Sequence, residues 1–493
     1  MDLQRYLCGV TCAADIPKPQ EVEISTVTAD SRWIRPGCLF VCIAGGRFDG
    51  HDAGQFALEK GAAALVCEKD LGLPRQIMVE NTRSAYARIC ANHFGNPADR
   101  LRLVGVTGTN GKTTVSGLIR AMLEDCGEHS GLMGTIVNRI GELELPARYT
   151  TPDAYYLHSL FARMVRENCR FAVLEASSQA LDQRRLDGCS FETAVFTNLT
   201  QDHLDYHGDM ECYYRAKRRL FEMARTAVVN IDEPYGERLA RELGEGAVTC
   251  SISGKNADFT AEDIRLFPHG SSFSIQYGGC RYAAGSTVPG RFSVSNALAA
   301  CAACVSLGFE PEQAARALKS CPPAPGRAEV LYSGAFTVIR DYAHTPDGLE
   351  KVLAALRETA VGRLITLFGC GGDRDRGKRP LMGSAAGKNS DLVIVTSDNP
   401  RSESPQAIID DILPGVVRTG TPYAAIPDRG EAIRFAWQSA REGDILLLAG
   451  KGHEDYLAAR DQTIYFDEKK LIAALAEQVC TDRADGISKR KGG

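Results

Sequence analysis

A short glycine-rich run that carries one lysine and three threonines has the clearest chemistry in this sequence. The run, Gly108-Thr109-Asn110-Gly111-Lys112-Thr113-Thr114, follows an apolar stretch and precedes a segment with helical spacing of apolar residues. Glycines between a strand and a helix let backbone N–H groups approach a polyphosphate, and the helix N-terminus favours negative charge. Lys112 would reach the terminal phosphates, and the Thr113 hydroxyl would ligate magnesium. The alternative is a glycine turn with a chance lysine, but the flanking strand and helix favour a phosphate-binding loop.

Two later strands end in residues that suit a metal site. The apolar run at 171–174 leads directly to Glu175, and a carboxylate there, beside a phosphate loop, can bind magnesium directly or through water. The run at 193–196 leads to a polar segment that contains His203. A lone histidine is more often structural, but its acidic and amide neighbours favour a role at the metal. The sequence pattern around Lys217 is, by itself, typical of a solvated helix lysine.

The last third of the chain contains three apolar strands, each followed by a polar motif. The strands are predicted at 364–368, 392–396 and 445–448. Ligands of open parallel sheets bind outside the carboxyl ends of the strands, so we expect the three motifs to converge on one crevice. The alternative is three unrelated solvated loops. The motifs run from Gly369 to Asp375, from Ser397 to Arg401 and from Ala449 to Glu454.

Chain length, a turn cluster and a linker predict three domains of the α/β class. A chain of 493 residues exceeds one hydrophobic core. A turn cluster at 96–99 and a proline-rich linker at 321–326 predict domains at 1–97, 98–325 and 326–493. From about residue 98 strands and helices alternate, which is typical of a mainly parallel sheet.

Composition excludes several partner classes. Apolar residues make up 44% of the chain, and the formal charge of −5 gives no reason to expect a nucleic-acid or membrane partner. No apolar run approaches the roughly 20 residues of a membrane span. The first residues have no secretory pattern, so the 17 scattered cysteines favour reduced thiols in a cytoplasm. We therefore expect a cytoplasmic protein, and we expect it to be monomeric.

In their order along the chain, these motifs resemble those of the Mur ligase family, the ATP-dependent amide-bond-forming enzymes of bacterial cell-wall synthesis. The resemblance is carried by the shortened phosphate loop, Glu175-x-Ser-Ser178, the Thr-Asn-Leu-x-x-Asp-His-Leu-Asp-Tyr-His-Gly run from 197 to 208, and Ala216-Lys217. It implies an N-terminal UDP-binding α/β domain, a central P-loop ATPase-like domain with a mainly parallel sheet, and a C-terminal Rossmann-like domain. One departure is Gln179, which stands where the family commonly has histidine and receives no role.

The resemblance also implies the roles of residues around ATP and magnesium. Magnesium would be bound by Thr113, Glu175, His203 and a carbamate that CO₂ forms on Lys217. The carbamate has a physical reason, because an ammonium repels a cation whereas a carbamate offers oxygen ligands. Catalytic roles fall to Lys112, Lys217, His203, Asp341 and His344. ATP would be bound by Gly108, Thr109, Asn110, Gly111, Lys112, Thr113, Thr114, Asn296 and Arg327.

The run Asp398-Asn-Pro-Arg401 matches the diaminopimelate-adding branch of that family. The resemblance implies ATP-driven addition of meso-diaminopimelate to the D-glutamate of UDP-N-acetylmuramoyl-L-alanyl-D-glutamate, through an acyl phosphate. The alternatives are L-lysine as the amino acid, a folylpolyglutamate-type ligase and a non-catalytic NTP-switched binding protein. The alternative role for Arg401, if it does not bind the amino acid, is that it only braces the Asn399-Pro400 turn. The UDP-muramyl dipeptide would contact Ser31, Thr150, Thr151, Ser177, Gln183 and Arg185, and diaminopimelate would contact Arg374, Asp398, Asn399, Pro400, Arg401, Gly450 and Glu454.

Overall fold

A computed structural model describes residues 1–13, 18–46, 48–460 and 462–478. The chain forms two compact units. The first comprises residues 1–260 with 298–314, and the second comprises 261–297 with the residues from 315 onward. The three domains at 1–97, 98–325 and 326–493 stay a prediction, and the last of them ends beyond the described residues. In the described part of the chain, no helix is both long and apolar enough to cross a membrane.

The first unit begins with a four-stranded sheet, in which the order β1-β2-β3-β4 is parallel throughout. Leu39–Val41 and Ala64–Cys67 are buried along their whole length, as expected for strands covered on both faces. The strands are β1 Val27–Thr28, β2 Leu39–Val41, β3 Ala64–Cys67 and β4 Gln76–Met78. The α-helices are α1 Leu3–Tyr6, α2 Gly54–Glu59 and α3 Thr82–His93, and short 3₁₀ turns cover Pro19–Glu21, Ser31–Trp33, Gly50–Ala53 and Pro97–Arg100.

The larger sheet of the first unit carries the phosphate loop. Its strands are β5 Arg102–Thr107, β6 Ser130–Met133, β7 Val137–Ile140, β8 Leu143–Pro146, β9 Phe171–Glu175, β10 Phe191–Phe196, β11 Ala224–Asn230 and β12 Ala247–Ser251. They lie in the order β12-β11-β10-β5-β9-β6-β7-β8, parallel up to β6 and antiparallel beyond it. Because β5 lies between β9 and β10, the carboxyl ends of these three strands are side by side. The helices are α4 Lys112–Asp125, α5 Ala154–Arg166, α6 Ser178–Asp182, α7 Leu204–His207, α8 Met210–Glu222 and α9 Pro234–Leu243.

A strand meander and two helices follow along the chain. They are β13 Phe259–Phe267, β14 Gly270–Tyr277, β15 Cys280–Ser286, α10 Arg291–Ser306 and α11 Pro311–Ala317. A hairpin joins β14 to β15 in antiparallel register. Its turn residues, Gly278 and Gly279, both have positive φ, which a two-residue hairpin turn requires.

The sheet of the second unit has the order β16-β17-β21-β18-β19-β20, and only β16 is antiparallel to its neighbour. The three predicted apolar strands are β18, β19 and β21, so their loops leave from one edge of the sheet. The strands are β16 Glu329–Ser333, β17 Thr337–Asp341, β18 Leu364–Phe368, β19 Leu392–Val395, β20 Tyr423–Ala425 and β21 Ile445–Ala449, with a separate hairpin of β22 Tyr456–Ala459 and β23 Gln462–Tyr465. The helices are α12 Pro346–Arg357, α13 Lys378–Asn389, α14 Pro405–Val417 and α15 Arg429–Ser439.

Candidate active site

The loop between β5 and α4 has the backbone geometry of an anion-binding cradle. Gly108 has a φ of 151°, and a Cβ atom there would lie 1.9 Å from Thr197 Oγ1, so only glycine fits. Gly111 has a φ of 88° and leads into α4, whose first-turn N–H groups have no partner within the helix. Lys112 folds back over the loop and donates from Nζ to the carbonyl oxygens of Gly108 at 2.8 Å and Thr109 at 2.9 Å. The loop therefore combines N–H groups and an ammonium, both of which suit a polyphosphate.

The end of β10 supports this loop from the side. Thr197 Oγ1 donates to the Asn110 carbonyl oxygen at 2.6 Å, and the Asn110 N–H donates to Asn198 Oδ1 at 3.0 Å. Thr109 Oγ1 donates to the Thr200 carbonyl oxygen at 3.1 Å. The shape of the phosphate loop is thus fixed by a neighbouring strand end as well as by its own glycines.

Glu175, at the end of β9, faces the same loop. It is 1% exposed and its Oε2 accepts a hydrogen bond from Thr113 Oγ1 at 3.0 Å. Thr135, which sequence reasoning missed, donates to Glu175 from both its N–H and its hydroxyl at 2.9 Å. Its only sequence signal is its position just after β6. A hydroxyl beside a carboxylate offers the oxygen ligands that Mg²⁺ prefers when substrate phosphates complete its coordination.

Lys217 lies inside the protein and not on a solvated helix surface, so the simpler interpretation of its sequence pattern is wrong. The residue is 1% exposed, because α8 packs closely on β5. Its Nζ donates to the Gly108 carbonyl oxygen at 2.8 Å and lies 4.5 Å from the centre of the Tyr213 ring. Burial, and next the nearby Lys112 ammonium, lower the pKa of Lys217 well below its usual value. No carboxylate of the described residues forms an ion pair with this amine.

Tyr213 joins the lysine to two histidines. Its hydroxyl lies 3.2 Å from Thr109 Oγ1, and the His207 ring stacks on its ring at 5.0 Å. His203 lies edge-on to the same ring at 6.2 Å, and 45% of its side chain is exposed. Among the described contacts, none joins His203 to Glu175. No three His, Cys, Asp or Glu side chains gather as a metal site in the described chain.

Five of the six residues predicted to bind the dipeptide substrate, all except Ser31, lie in one hydrogen-bonded network beside Glu175. Thr151 Oγ1 donates to the Glu175 carbonyl oxygen at 2.6 Å, and Arg185 donates to the Thr151 carbonyl oxygen at 2.8 Å. Burial lowers the pKa of the Arg185 guanidinium, so its charge is partly desolvated. The five residues of the network are Thr150, Thr151, Ser177, Gln183 and Arg185.

A cavity of about 780 Å³ extends from Gln183 and Arg185 toward the first sheet. Its lining includes Asp30 and Trp33, which flank the predicted contact Ser31 within a 3₁₀ turn, and the cation Arg83. Trp33 exposes 62% of its surface. Arginines and an exposed indole in one cavity suit a ligand that has both anionic groups and a ring.

In the second unit, hydrogen bonds connect the loops after β18 and β19. Gly372 N–H donates to the Asn399 carbonyl oxygen at 2.9 Å, and Arg401 Nη1 donates to the Gly372 carbonyl oxygen at 2.6 Å. Arg401 also has a positive φ of 51°. Arg401 therefore does brace this region, and among the described residues this is the side-chain hydrogen bond found for its guanidinium. Arg374, in the first of these loops, is exposed.

The loop after β21 belongs to the same group of contacting loops. Gly450 has a φ of 107°, and a Cβ atom there would lie 2.6 Å from Asp398 Oδ2. Asn399 Nδ2 donates to Glu454 Oε2 at 2.7 Å. Lys451, which sequence reasoning passed over, is fully buried and donates to Asn399 Oδ1 at 3.1 Å. The three loops predicted to converge are thus joined by direct contacts.

A second group of predicted residues surrounds the end of β17. Asp341 accepts a backbone hydrogen bond at 2.7 Å, and burial raises its pKa against the opposing charge of Arg327. The Arg327 guanidinium lies 5.0 Å from the Tyr342 ring centre, and its buried Nε has no hydrogen-bond partner among the described residues. His344 is exposed and contacts the same ring. Asn296 is buried within α10.

Comparisons with known proteins decide the family. Family models for the Mur ligase catalytic domain, the Mur ligase middle domain and the Mur ligase glutamate ligase domain match residues 23–93, 106–304 and 326–452. The UDP-N-acetylmuramoyl-L-alanyl-D-glutamate--2,6-diaminopimelate ligase 1 of Clostridium acetobutylicum is 43% identical over 93% of this chain and 96% of its own length. The chain belongs to the Mur ligase family.

Solved Mur ligase structures share its fold. A structure of a UDP-N-acetylmuramoyl-L-alanyl-D-glutamate--2,6-diaminopimelate ligase matches 97% of this chain and 99% of its own, with a TM-score of 0.73 and 33% identity. A MurF ligase from Thermotoga maritima in complex with ADP is 18% identical, covers 88% of this chain and 94% of its own, and has a TM-score of 0.57. The α/β class and the Mur ligase resemblance predicted from sequence are confirmed. Gln179, the departure from the common Mur ligase pattern, lies in α6 beside Ser178, whose hydroxyl is 2.9 Å from His207 Nε2.

Proposed function

We propose that this chain is an ATP-dependent ligase that joins meso-diaminopimelate to the D-glutamate of UDP-N-acetylmuramoyl-L-alanyl-D-glutamate. One observation carries the proposal: the phosphate loop, the Thr113–Glu175 pair and the predicted dipeptide residues form one continuous network. A non-catalytic binding protein that only changed its state with bound NTP would have no need of that network. The Clostridium acetobutylicum relative and the solved ligase, whose names give this activity, support the same assignment.

The first step activates the substrate carboxylate. The D-glutamate side-chain oxygen attacks the γ-phosphorus of ATP, the bond from phosphorus to the bridging oxygen of ADP breaks, and an acyl phosphate forms. The glycine loop holds the phosphates through its N–H groups, and Lys112 orients the γ-phosphate. The remaining loop residues, Asn296 and Arg327 are also proposed to bind ATP. Arg327 has a buried Nε that suits this role, since a phosphate oxygen would supply the acceptor it lacks.

The second step forms the amide. The amine nitrogen of the incoming amino acid attacks the acyl carbon, the carbon–oxygen bond to phosphate breaks, and the nitrogen loses a proton. Asp341 and His344, together at the end of β17, are proposed to act at this stage and to face the nucleotide. Coupling to ATP is required, because forming an amide from a carboxylate in water is uphill.

Magnesium would neutralise phosphate charge in this reaction when it is bound. Thr113 and Glu175 would hold it, with His203 and a carbamylated Lys217 as further ligands. The buried Lys217 amine can add to CO₂. A nitrogen–carbon bond forms, the π bond of one C=O group breaks and its electron pair moves to the oxygen, and one amine proton leaves to solvent, which gives an anionic carbamate. The resulting carbamate would replace the amine by an anion beside the Lys112 ammonium.

The cavity beside Arg185 is proposed to bind the UDP-sugar dipeptide, with Ser31 among its contacts. The chain has two tryptophans, and Trp437 is packed against Tyr332 and Phe336 in the second unit. In a Trp437→Phe variant the fluorescence therefore reports on Trp33 alone. Adding UDP should change that emission, and a Trp33→Phe variant that retains Trp437 should not respond. UDP binding by calorimetry without any change in Trp33 emission would contradict this location.

Diaminopimelate is proposed to contact Arg374, the 398–401 loop, Gly450 and Glu454. Its far end carries both an ammonium and a carboxylate, and the planar Arg401 guanidinium matches the carboxylate. We further infer that the enzyme works in the cytoplasm and that it acts as a monomer.

An amino-acid panel tests the function as a whole. The purified protein is incubated with ATP, magnesium, UDP-muramyl dipeptide and one amino acid at a time, and ADP release is measured. The proposal requires release that depends on both the dipeptide and meso-diaminopimelate. Release without either acceptor substrate would favour an NTP switch, and equal use of L-lysine would overturn the amino-acid assignment.

A further inference from the structure

We propose that Lys451 is a positioning residue that makes the second unit select against amino acids ending in a bare ammonium. The inference rests on the proposed function. Lys451 is fully buried at the carboxyl end of β21, directly after the positive-φ residue Gly450.

The Lys451 ammonium already occupies the acidic centre of this site. Its Nζ lies 3.7 Å from Asp398 Oδ1 and 3.6 Å from Glu454 Oε2. It also donates to Asn399 Oδ1 at 3.1 Å, and the amide group of Asn399 donates in turn to Glu454 Oε2 at 2.7 Å. One ammonium thus fixes two carboxylates and an amide that come from two different loops.

The same ammonium sets the charge that a substrate meets. Asp398 and Glu454 alone would form a strongly negative pair, the natural partner of the terminal ammonium of L-lysine. With Lys451 between them the triad carries a single net negative charge, and Arg401 adds a cation nearby on the loop that contains Asp398. A side chain ending in ammonium and carboxylate together fits such a mixed field, whereas a bare ammonium gains less from the partly neutralised pair than it would from the two carboxylates alone.

The Asp398 and Glu454 side chains are 10% and 17% exposed and could be hydrated without a lysine, whereas burying the Lys451 ammonium is costly. Burial indeed lowers the pKa of Lys451, and the two carboxylates oppose that shift. A cation held at this cost, between two carboxylates of the proposed diaminopimelate site, points to control of substrate charge.

The first experiment measures kcat/KM for meso-diaminopimelate and for L-lysine in Lys451→Met. We expect the ratio to shift toward L-lysine by at least about tenfold, the size that a change of about 1.4 kcal/mol produces. Lys388→Met, the same change at an exposed position of α13, is the matched control and should leave the ratio unchanged. Lys451→Met/Glu454→Gln restores the net charge of the triad and should bring the ratio back toward that of the unmodified enzyme. Equal losses for both amino acids in Lys451→Met would show a structural role and overturn the inference.

The unmodified enzyme gives a second measurement that needs no variant to fold. L-norleucine has the carbon chain of L-lysine without its ammonium. If Lys451 neutralises the acidic pair, L-norleucine should be used at least as well as L-lysine, and clearly better use of L-lysine would overturn the inference. An enzyme that uses no amino acid, meso-diaminopimelate included, would instead refute the proposed function, so the two failures are distinguishable.

Discussion

Two buried lysines, one in each unit, have opposite surroundings. Lys217 meets a carbonyl oxygen and an aromatic ring, and among the described residues no carboxylate pairs with it. Lys451 lies between two carboxylates and donates to an amide. Burial lowers the pKa of both amines, but only Lys451 has opposing charges within ion-pair distance. A buried amine without a counter-ion is suited to covalent modification, whereas a paired one is suited to remain a fixed charge.

A third lysine, Lys112, provides the largest expected effect and sharpens this comparison. It is partly exposed at the start of α4, where its Nζ has room to leave the loop carbonyl oxygens for a phosphate. Lys112→Ala should lower kcat by about 10⁴-fold, the scale on which cationic contacts act in phosphoryl transfer. The thermal unfolding midpoint should change little. Turnover within tenfold of the unmodified enzyme would show that Lys112 does not have the proposed role in the mechanism.

The next largest effect tests whether Lys217 acts as a carbamate. Lys217→Ala should lower kcat by about 10³-fold, because a ligand of the magnesium that neutralises the reacting phosphates would be lost. Short carboxylates such as acetate should restore part of the activity, since they can occupy the space of the carbamate. Lys451→Met should not respond to acetate, because there a cation is lost. Rescue of both variants, or of neither, would break the contrast between the two lysines.

These surroundings show which parts of the site the sequence could predict. The phosphate loop is one contiguous motif, and β18, β19 and β21 are runs of apolar residues, so both were predicted with bounds close to those observed. Burial of Lys217 was not predicted, because it depends on Gly105 of β5, whose missing side chain lets Leu220 of α8 approach. The convergence of the loops after β18, β19 and β21 was predicted, but the contacts of Lys451 with Asp398 and Glu454 were not. Strand patterns place loops at one edge of a sheet, but they do not show which side chains of those loops meet.

His158 extends the comparison to a buried base without partners in the first unit. Neither of its ring nitrogens has a hydrogen-bond partner among the described residues, and burial lowers its pKa from 6.5 to about 4. Protonation is therefore disfavoured in the folded state. The stability that this gives is complete above pH 6.5 and is lost as the pH falls toward 4, by up to about 3 kcal/mol.

His158→Leu should remove most of this pH dependence in urea unfolding of the protein followed between pH 7 and 4.5. His129→Leu, at an exposed position, is the matched control and should retain the dependence of the unmodified protein. A curve for His158→Leu that parallels the unmodified one would assign acid sensitivity to other groups.

Arg401 gives the smallest expected effect and separates binding from bracing in the second unit. Its Nη1 is committed to the Gly372 carbonyl oxygen, so only part of the guanidinium would serve the far carboxylate of diaminopimelate. Arg401→Ala should lower kcat/KM for meso-diaminopimelate by about 30-fold, the loss of a charge-assisted contact of about 2 kcal/mol. L-lysine use should stay nearly constant, since that substrate has no far carboxylate. This pattern is distinct from Lys451→Met, in which L-lysine use rises. Arg434→Ala, at an exposed position of α15, controls for the loss of a surface cation. Equal losses for the two amino acids, with a lower unfolding midpoint, would mean that Arg401 only braces the two loops.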